Sequence, residues 1–251
     1  MDNSTFVSLS LATAMQTALD VSANNIANAN TAGFKSEKVV FDSYLHREGS
    51  PSERRDTDFL IDRGSFLDES QGALSRTGNP LDLALQGDGW FAYETPEGRT
   101  ALGRDGRFAI DPEGNLVTLN GARVLDPGGA PIVLPPDLGA GALTVSQDGT
   151  ISSEANGVMG RVGLFAPGDL QSYERLGAGM LVPPEAAPGG LPPAARETRL
   201  VQGAIETSNV QPVVEMTRMM SIQQAYDRAL KLIGEEDNLK RDMLRRLGGQ
   251  T

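Results

Sequence analysis

Residues 4–30 contain neither proline nor glycine, although the 251-residue chain holds 15 prolines and 29 glycines. That gap predicts a helix. Leu11, Met15, Ala18, Ser22 and Ile26 fall at steps of three and four, which is one helical face, and Thr13, Gln16, Asp20 and Asn24 occupy the rest. The helix is expected to stop by Thr31-Ala32-Gly33, where glycine supplies the left-handed terminator. A second such stretch runs from Val213 to Leu247, interrupted only by Gly234. Pro212 suits a first helical turn, with Asn209 as a candidate cap. Met216, Met219, Met220, Tyr226, Leu230, Ile233, Leu244 and Leu247 form its apolar stripe. The stripe thins around Gly234–Asn238, which predicts a bend or a two-part helix, and the basic Lys240–Arg246 end suits a helix C-terminus.

Between these stretches the composition changes. Asp88-Gly89, Glu97-Gly98, Asp105-Gly106, Glu113-Gly114 and Asn120-Gly121 separate the apolar runs Trp90–Tyr93, Thr100–Leu102, Arg107–Ile110 and Leu116–Leu119. Acid-glycine and Asn-Gly pairs favour the tight turns that match strand twist, so the segment reads as a meander of hairpins. Asp148-Gly149 divides Leu143–Val145 from Ile151, and Val158–Phe165 reads as one further strand. The expected class is α+β: N- and C-terminal helices paired in a coiled-coil-like element, with a central antiparallel β-rich domain. The expected organisation is a discontinuous helical domain from 1–33 with 212–251, a linking extended region 34–75, and a β-rich body 76–211 that includes an irregular Gly/Pro loop at 177–199.

Chemistry is poorly represented. With no cysteine and one histidine, His46, thiolate and histidine metal sites are not available. The formal charge of −11 argues against nucleic acid, whose phosphates need a basic footprint. No run of about 18 apolar residues exists to span a membrane, and no basic residue precedes Lys35, as a secretory leader would require. Gly87–Ala92 fits a loose dinucleotide fingerprint, but a strand follows it where a helix is needed. His46 lies among Arg47, Glu48 and Gly49, as an exposed loop residue would, and no GxSxG elbow is present to use it. Asp56, Asp58, Asp62, Asp68 and Glu69 are interspersed with Arg54, Arg55 and Arg63 and lack calcium-loop spacing. No catalytic residue, metal, cofactor or small-molecule substrate is expected.

The segment Ala23–Lys35, ANNIANANTAGFK, resembles the N-terminal signature of the flagellar axial family of rod, hook and hook-associated proteins, through Asn24, Asn25, Ile26, Ala27, Asn28, Thr31, Gly33 and Phe34. Pro80–Phe91 and Arg104–Phe108 are similar to the family's β-domain entry. Glu206-Thr207-Ser208-Asn209-Val210, followed by Glu215-Met216 and Gln223–Tyr226, is similar to its entry into the last helix. The short 34–75 segment, the opening Met1-Asp2-Asn3 and the length resemble the proximal-rod branch, with the distal-rod branch as the alternative.

The resemblance implies a structural subunit of the periplasm-spanning rod of the flagellar basal body. It would be exported unfolded through the flagellar type III apparatus and polymerise head-to-tail with itself and other rod subunits, without membrane insertion, to transmit torque. The assembly residues implied are Leu11, Met15, Leu19 and the motif residues on the N-terminal side. On the C-terminal side they are Glu206–Val210 with Met216, Met220, Tyr226, Leu230 and Ile233. A soluble β-rich binding or adhesion module is the alternative reading of the residues alone. The energetics favour assembly: ordering some 27 residues at about 1–2 kcal/mol each is not offset by a narrow, Ala- and Met-rich stripe alone. Neighbouring copies that bury the other faces complete the helices.

Overall fold

The structure is a computed structural model that describes residues 2–48, 55–135, 143–184 and 191–248. By contacts it divides into two units. One takes Met1–Ala27, Glu37–Phe66 and Gln211–Thr251; the other takes Asn28–Ser36 and Leu67–Val210.

In the first unit, α1 (Asp2–Ala27) and α2 (Pro212–Gly248) pack on one another, and α1 also packs on β1 (Glu37–Glu48). β1 pairs with β2 (Arg55–Leu67) in a two-stranded sheet. The deepest positions on α1 are small or polar: Ser8, Ala12, Ala14, Ala18, Ser22 and Asn25. Leu11, Met15, Leu19 and Ile26 are half-buried beside them. α1 also stops earlier than the composition suggests. Asn28 begins a turn in which the Thr31 and Phe34 amides donate to the Asn28 and Thr31 carbonyls.

α2 runs unbroken through Gly234, so the expected division into two helices does not occur. A lone glycine costs a helix only about 1 kcal/mol, and helix-compatible neighbours carry the chain past it, aided by the Asp237–Arg241 pair at 2.7 Å. His46 lies in β1 and not in a loop.

The second unit is antiparallel in all its registered pairs. It contains β3 (Leu74–Arg76), β4 (Leu83–Gln86), β5 (Trp90–Glu94), β6 (Thr100–Gly103), β7 (Phe108–Ile110), β8 (Leu116–Thr118) and β9 (Arg123–Val124). It continues with β10 (Leu143–Val145), β11 (Thr150–Ser153), β12 (Gly157–Arg161), β13 (Leu164–Phe165), β14 (Glu174–Leu176), β15 (Met180–Val182), β16 (Arg199–Gln202) and β17 (Ala204–Glu206). The largest sheet has the order β14-β15-β6-β5-β9-β8-β7, with β13 also on β5; β10-β11-β12 form a second sheet. β16 pairs with β4, and β17 with β3.

β5 shows why a short strand centres this unit. Phe91 and Tyr93 face one apolar cluster with Phe108, Leu83 and Leu85, while Trp90 and Ala92 face another with Leu67, Leu102 and Phe165. Side chains alternate along a strand, so a run apolar at every position buries both faces. The Phe91 and Phe108 rings meet edge-on at 5.3 Å.

Gly98, Gly114, Gly121 and Gly149 adopt positive φ at the expected turns. Gly89 and Gly106 do not: at the first pair Gly87 takes the positive φ, and Gly106 is glycine because a Cβ there would lie 1.6 Å from the Leu83 carbonyl oxygen. The run Val158–Phe165 is two strands, β12 and β13, and not one. Between them, a Cβ on Gly163 would come within 2.7 Å of the Asp126 carbonyl oxygen. The 177–199 segment holds β15 and the start of β16, with residues 185–190 outside the described residues.

Candidate assembly site

The end of the signature, Asn28 to Lys35, and the C-terminal entry, Glu206 to Val210, come together inside the second unit. Gly33 donates its amide to the Glu206 carbonyl at 2.8 Å, and Asn209 donates its amide to the Phe34 carbonyl at 3.3 Å. The two crossing segments, 28–36 and 206–210, are thus laced to each other by backbone bonds. Gly33 has φ +67, and a Cβ there would sit 2.2 Å from the Arg104 carbonyl carbon, so conformation and space both exclude a side chain.

Beneath this lacing lies a buried ionic centre. The Glu206 side chain, 1% exposed, accepts from Lys35 Nζ at 2.7 Å and from Arg104 Nη1 at 3.1 Å. Its Oε1 also accepts the Gly72 amide at 2.8 Å. Lys35 Nζ donates further to the Ser70 carbonyl, and Arg104 Nη2 to the Gly87 carbonyl. Arg104 lies 5.3 Å from the centroid of Trp90, a contact in which the ring face attracts the cation. Its Nε makes no hydrogen bond among the described residues. Burial pushes the Lys35 ammonium below its ordinary pKa, and the adjacent Glu206 carboxylate partly offsets that.

Such a centre contributes less to net stability than to choosing one arrangement, because desolvating the charges consumes much of their attraction. Here the arrangement chosen is the point where the two chain ends leave the β-rich unit.

Asn209 is not the cap of α2. Its Oδ1 accepts the Ser36 amide at 2.7 Å, and its Nδ2 donates to the Asp68 and Ser70 carbonyls. The amide is occupied in tying the 28–36 segment to residues 68–70. The Glu215 amide instead reaches the Gln211 carbonyl at the start of α2.

In the helical unit Asn25 performs a similar task. Its Nδ2 donates to the Glu37 carbonyl at 2.8 Å while its Oδ1 accepts the Glu37 amide at 2.9 Å, which fixes the start of β1 on α1. The Thr31 hydroxyl donates to Asn28 Oδ1 at 3.2 Å inside the turn. Asn24 is exposed and Ile26 half-buried. Thr207 reaches the Ala73 carbonyl through both its amide and its hydroxyl, the Ser208 hydroxyl accepts the Val210 amide, and Val210 is buried.

On α2, Tyr226 and Ile233 are half-buried, whereas Met216, Met220 and Leu230 face outward at 52%, 60% and 45% exposure. Sequence reasoning did not single out Lys35, Arg104, Ser22 or Glu215 for a role. The signal it could have used is a charge directly after apolar and glycine residues, as in Gly33-Phe34-Lys35, whereas Arg104, beside Asp105 and Arg107, reads as part of a solvated charge mix.

Three family models match in succession. The flagella basal body rod protein model covers residues 8–35, the flagellar hook protein FlgE/F/G D1 domain model 84–153, and the flagellar basal body rod FlgEFG protein C-terminal model 201–246. The chain is 38% identical to the flagellar basal-body rod protein FlgF of Caulobacter vibrioides over 99% of both chains. It is 37% identical to FlgF of Mesorhizobium japonicum over the whole of both. To the rod protein FlgG of Agrobacterium fabrum it is 30% identical, over 90% of this chain and 92% of that one. With full-length likeness to the first kind and the laced junction falling within two of the matched segments, the chain belongs to the flagellar basal-body rod protein family, in its FlgF branch.

Proposed function

We propose that the chain is a structural, non-enzymatic subunit of the basal-body rod, in its proximal part, joined to its neighbours through the terminal helices. One observation carries this reading: a 37-residue helix whose far end leaves large apolar side chains uncovered. Leu239, Met243 and Leu244 are 58%, 44% and 69% exposed, while α1 is only 26 residues long and cannot line the whole of α2. An isolated molecule leaves that surface wet; a helical array of copies buries it.

In this reading α1 and α2 form a coiled-coil-like pair that makes the discontinuous assembly domain. The stretch following α1 links it to the β-rich body. Leu11, Met15 and Leu19 on α1 and Met216, Met220, Tyr226, Leu230 and Ile233 on α2 supply the seam and the outward contacts. The motif from Asn24 to Phe34 and the entry from Glu206 to Val210 complete the assembly residues. The chain reaches the rod through the flagellar type III export apparatus and passes torque through many shallow contacts, so no single residue needs unusual chemistry.

The test is a Leu239→Asp/Leu244→Asp double variant. Both side chains are exposed in the single chain, so circular dichroism and the unfolding midpoint of the monomer are expected to stay unchanged. Sedimentable polymer at high protein concentration and complementation of swimming in a deletion strain are expected to be lost. Normal swimming with this variant refutes the assignment.

A further inference from the structure

We infer that Glu215 and Ser22 form a polar pin that sets the register of the α1–α2 pair. The inference rests on the pairing proposed above and adds what selects one alignment of it.

The Ser22 hydroxyl donates to Glu215 Oε2 at 2.9 Å, and both side chains are buried. The pin sits near the end of α1 and in the first turn of α2. Further along α2, Ala229 is fully buried. An α1 running parallel from this point ends at Ala27, before reaching that stretch, so the helix that runs back from Ser22 toward Ser8 is the one alongside it.

Antiparallel pairing from the pin then sets Ala18 opposite Met219, Met15 opposite Ile222, Leu11 opposite Tyr226 and Ser8 opposite Ala229. All eight are buried or half-buried. On each helix these positions alternate steps of three and four, the spacing of a heptad seam.

A seam with this composition does not fix its own alignment. Apart from Leu11 and Met15, its α1 side consists of small residues, and the heptad spacing means that a slide of α2 by seven residues again presents seam positions to seam positions. Ile222 then takes the place of Glu215 opposite Ser22, and apolar contact is largely kept. What the slide changes is the carboxylate. Glu215 then comes opposite residue 29, past the end of α1, so the slide gives up the 2.9 Å bond from the Ser22 hydroxyl to the carboxylate and leaves that buried serine facing an isoleucine side chain. A single polar seam residue chooses a coiled-coil register in the same way. Arg218 Nη1, 4.0 Å from Glu215 Oε1, holds the other oxygen only weakly.

The register has a consequence for assembly. Asp2, the first residue of α1, falls opposite Glu235, so α2 projects past its partner helix by roughly 20 Å at 1.5 Å per residue. A slide of one heptad changes that projection by about 10 Å and offsets the surface offered to the next copy.

The chain has no cysteine, so engineered pairs report the register directly. Ala18→Cys/Met219→Cys bridges the pinned alignment, and Ala18→Cys/Tyr226→Cys bridges the alignment slid by one heptad. Each pair is placed on the full chain, with Glu215 present or with Glu215→Ile, and oxidised in dilute solution. Non-reducing gels and peptide mapping read intramolecular disulfide, and far-ultraviolet circular dichroism confirms helix content.

With Glu215 the 18–219 bridge is expected to exceed the 18–226 bridge by about tenfold or more, from the lost hydrogen bond between the Ser22 hydroxyl and the carboxylate. With Glu215→Ile the two are expected to form to comparable extents, because no carboxylate then distinguishes the alignments and only the longer 3.3 Å contact of the Ser22 hydroxyl with the carbonyl of residue 215 remains. Should the isoleucine unfold the helices, Glu215→Gln serves instead. Its amide can still accept the serine proton and is expected to retain the 18–219 preference while weakening it. A preference as strong in the isoleucine variant as in the parent overturns the pin. An 18–226 bridge dominant in the parent overturns the derived register. Failure of both bridges in a helical parent removes the pairing itself, a result separate from the polymerisation test of the rod assignment.

Discussion

Replacing Glu206 by glutamine removes one charge and almost no volume, which isolates what the buried centre does. In the native unit this carboxylate faces two cations, Lys35 at 2.7 Å and Arg104 at 3.1 Å, with all three side chains 3% exposed or less. The glutamine can keep one acceptor for the Gly72 amide that Oε1 now receives at 2.8 Å. It cannot neutralise either cation. Lys35 then retains the Ser70 carbonyl and Arg104 the Gly87 carbonyl, both partial dipoles. Breaking a buried pair from one side costs about 3–5 kcal/mol, mostly as the penalty on the charge left behind, and here two are left. At the usual urea dependence of about 1–3 kcal/mol per molar, the midpoint falls by about 1 M or more.

The readout is built in. Trp90 is the only tryptophan in the chain, is 2% exposed and lies against Arg104, so its fluorescence reports this unit. A Lys35→Met/Arg104→Met/Glu206→Leu variant, which removes all three charges together, is expected to recover most of the loss. If the glutamine variant loses less than about 1 kcal/mol, the carboxylate is not the hub described here. If the triple variant is worse than the single one, charge is not the reason.

Two further outcomes follow from the same unit. Gly106→Ala places a methyl carbon 1.6 Å from the Leu83 carbonyl oxygen, and the backbone shift it forces is expected to lower stability by about 3 kcal/mol in urea titration, more than Gly→Ala at the open Gly98 turn produces in space alone. Burial, and secondarily the charge of Asp105, hold the Tyr93 phenol well above its ordinary pKa of 10, with its hydroxyl donating to the Asp105 carbonyl at 2.7 Å. Above pH 10 the unfolded chain releases this proton while the folded chain keeps it, so stability present below pH 10 declines as pH rises further. Tyr93→Phe is expected to flatten that alkaline decline and to lose about 1 kcal/mol at pH 8, measured as unfolding midpoints across the pH range.

Much of the architecture was legible in local patterns. The gap in proline and glycine marks α1 and α2 because those residues disrupt helix wherever they fall, and Asp148-Gly149 or Glu113-Gly114 mark turns because positive φ is a local demand. The run at β5 announced a strand, since every position from Trp90 to Tyr93 is apolar. The signature from Ala23 to Lys35 marked where the chain turns and pointed to the family.

Long-range pairing decided the rest. Asn209 has the chemistry of a cap and the position of one, yet Ser36 and Asp68, distant in sequence, claim its side chain. Gly106 resembles a turn glycine, but the Leu83 carbonyl and not its own φ requires it. Helical periodicity marks a face without saying how wide the facing surface is, and on α1 the deepest places went to serine, alanine and asparagine. A charge near an apolar residue does not name its partner. That Lys35, Arg104 and Glu206 meet is a property of three segments folded together, because desolvation makes each charge tolerable only in the presence of the others.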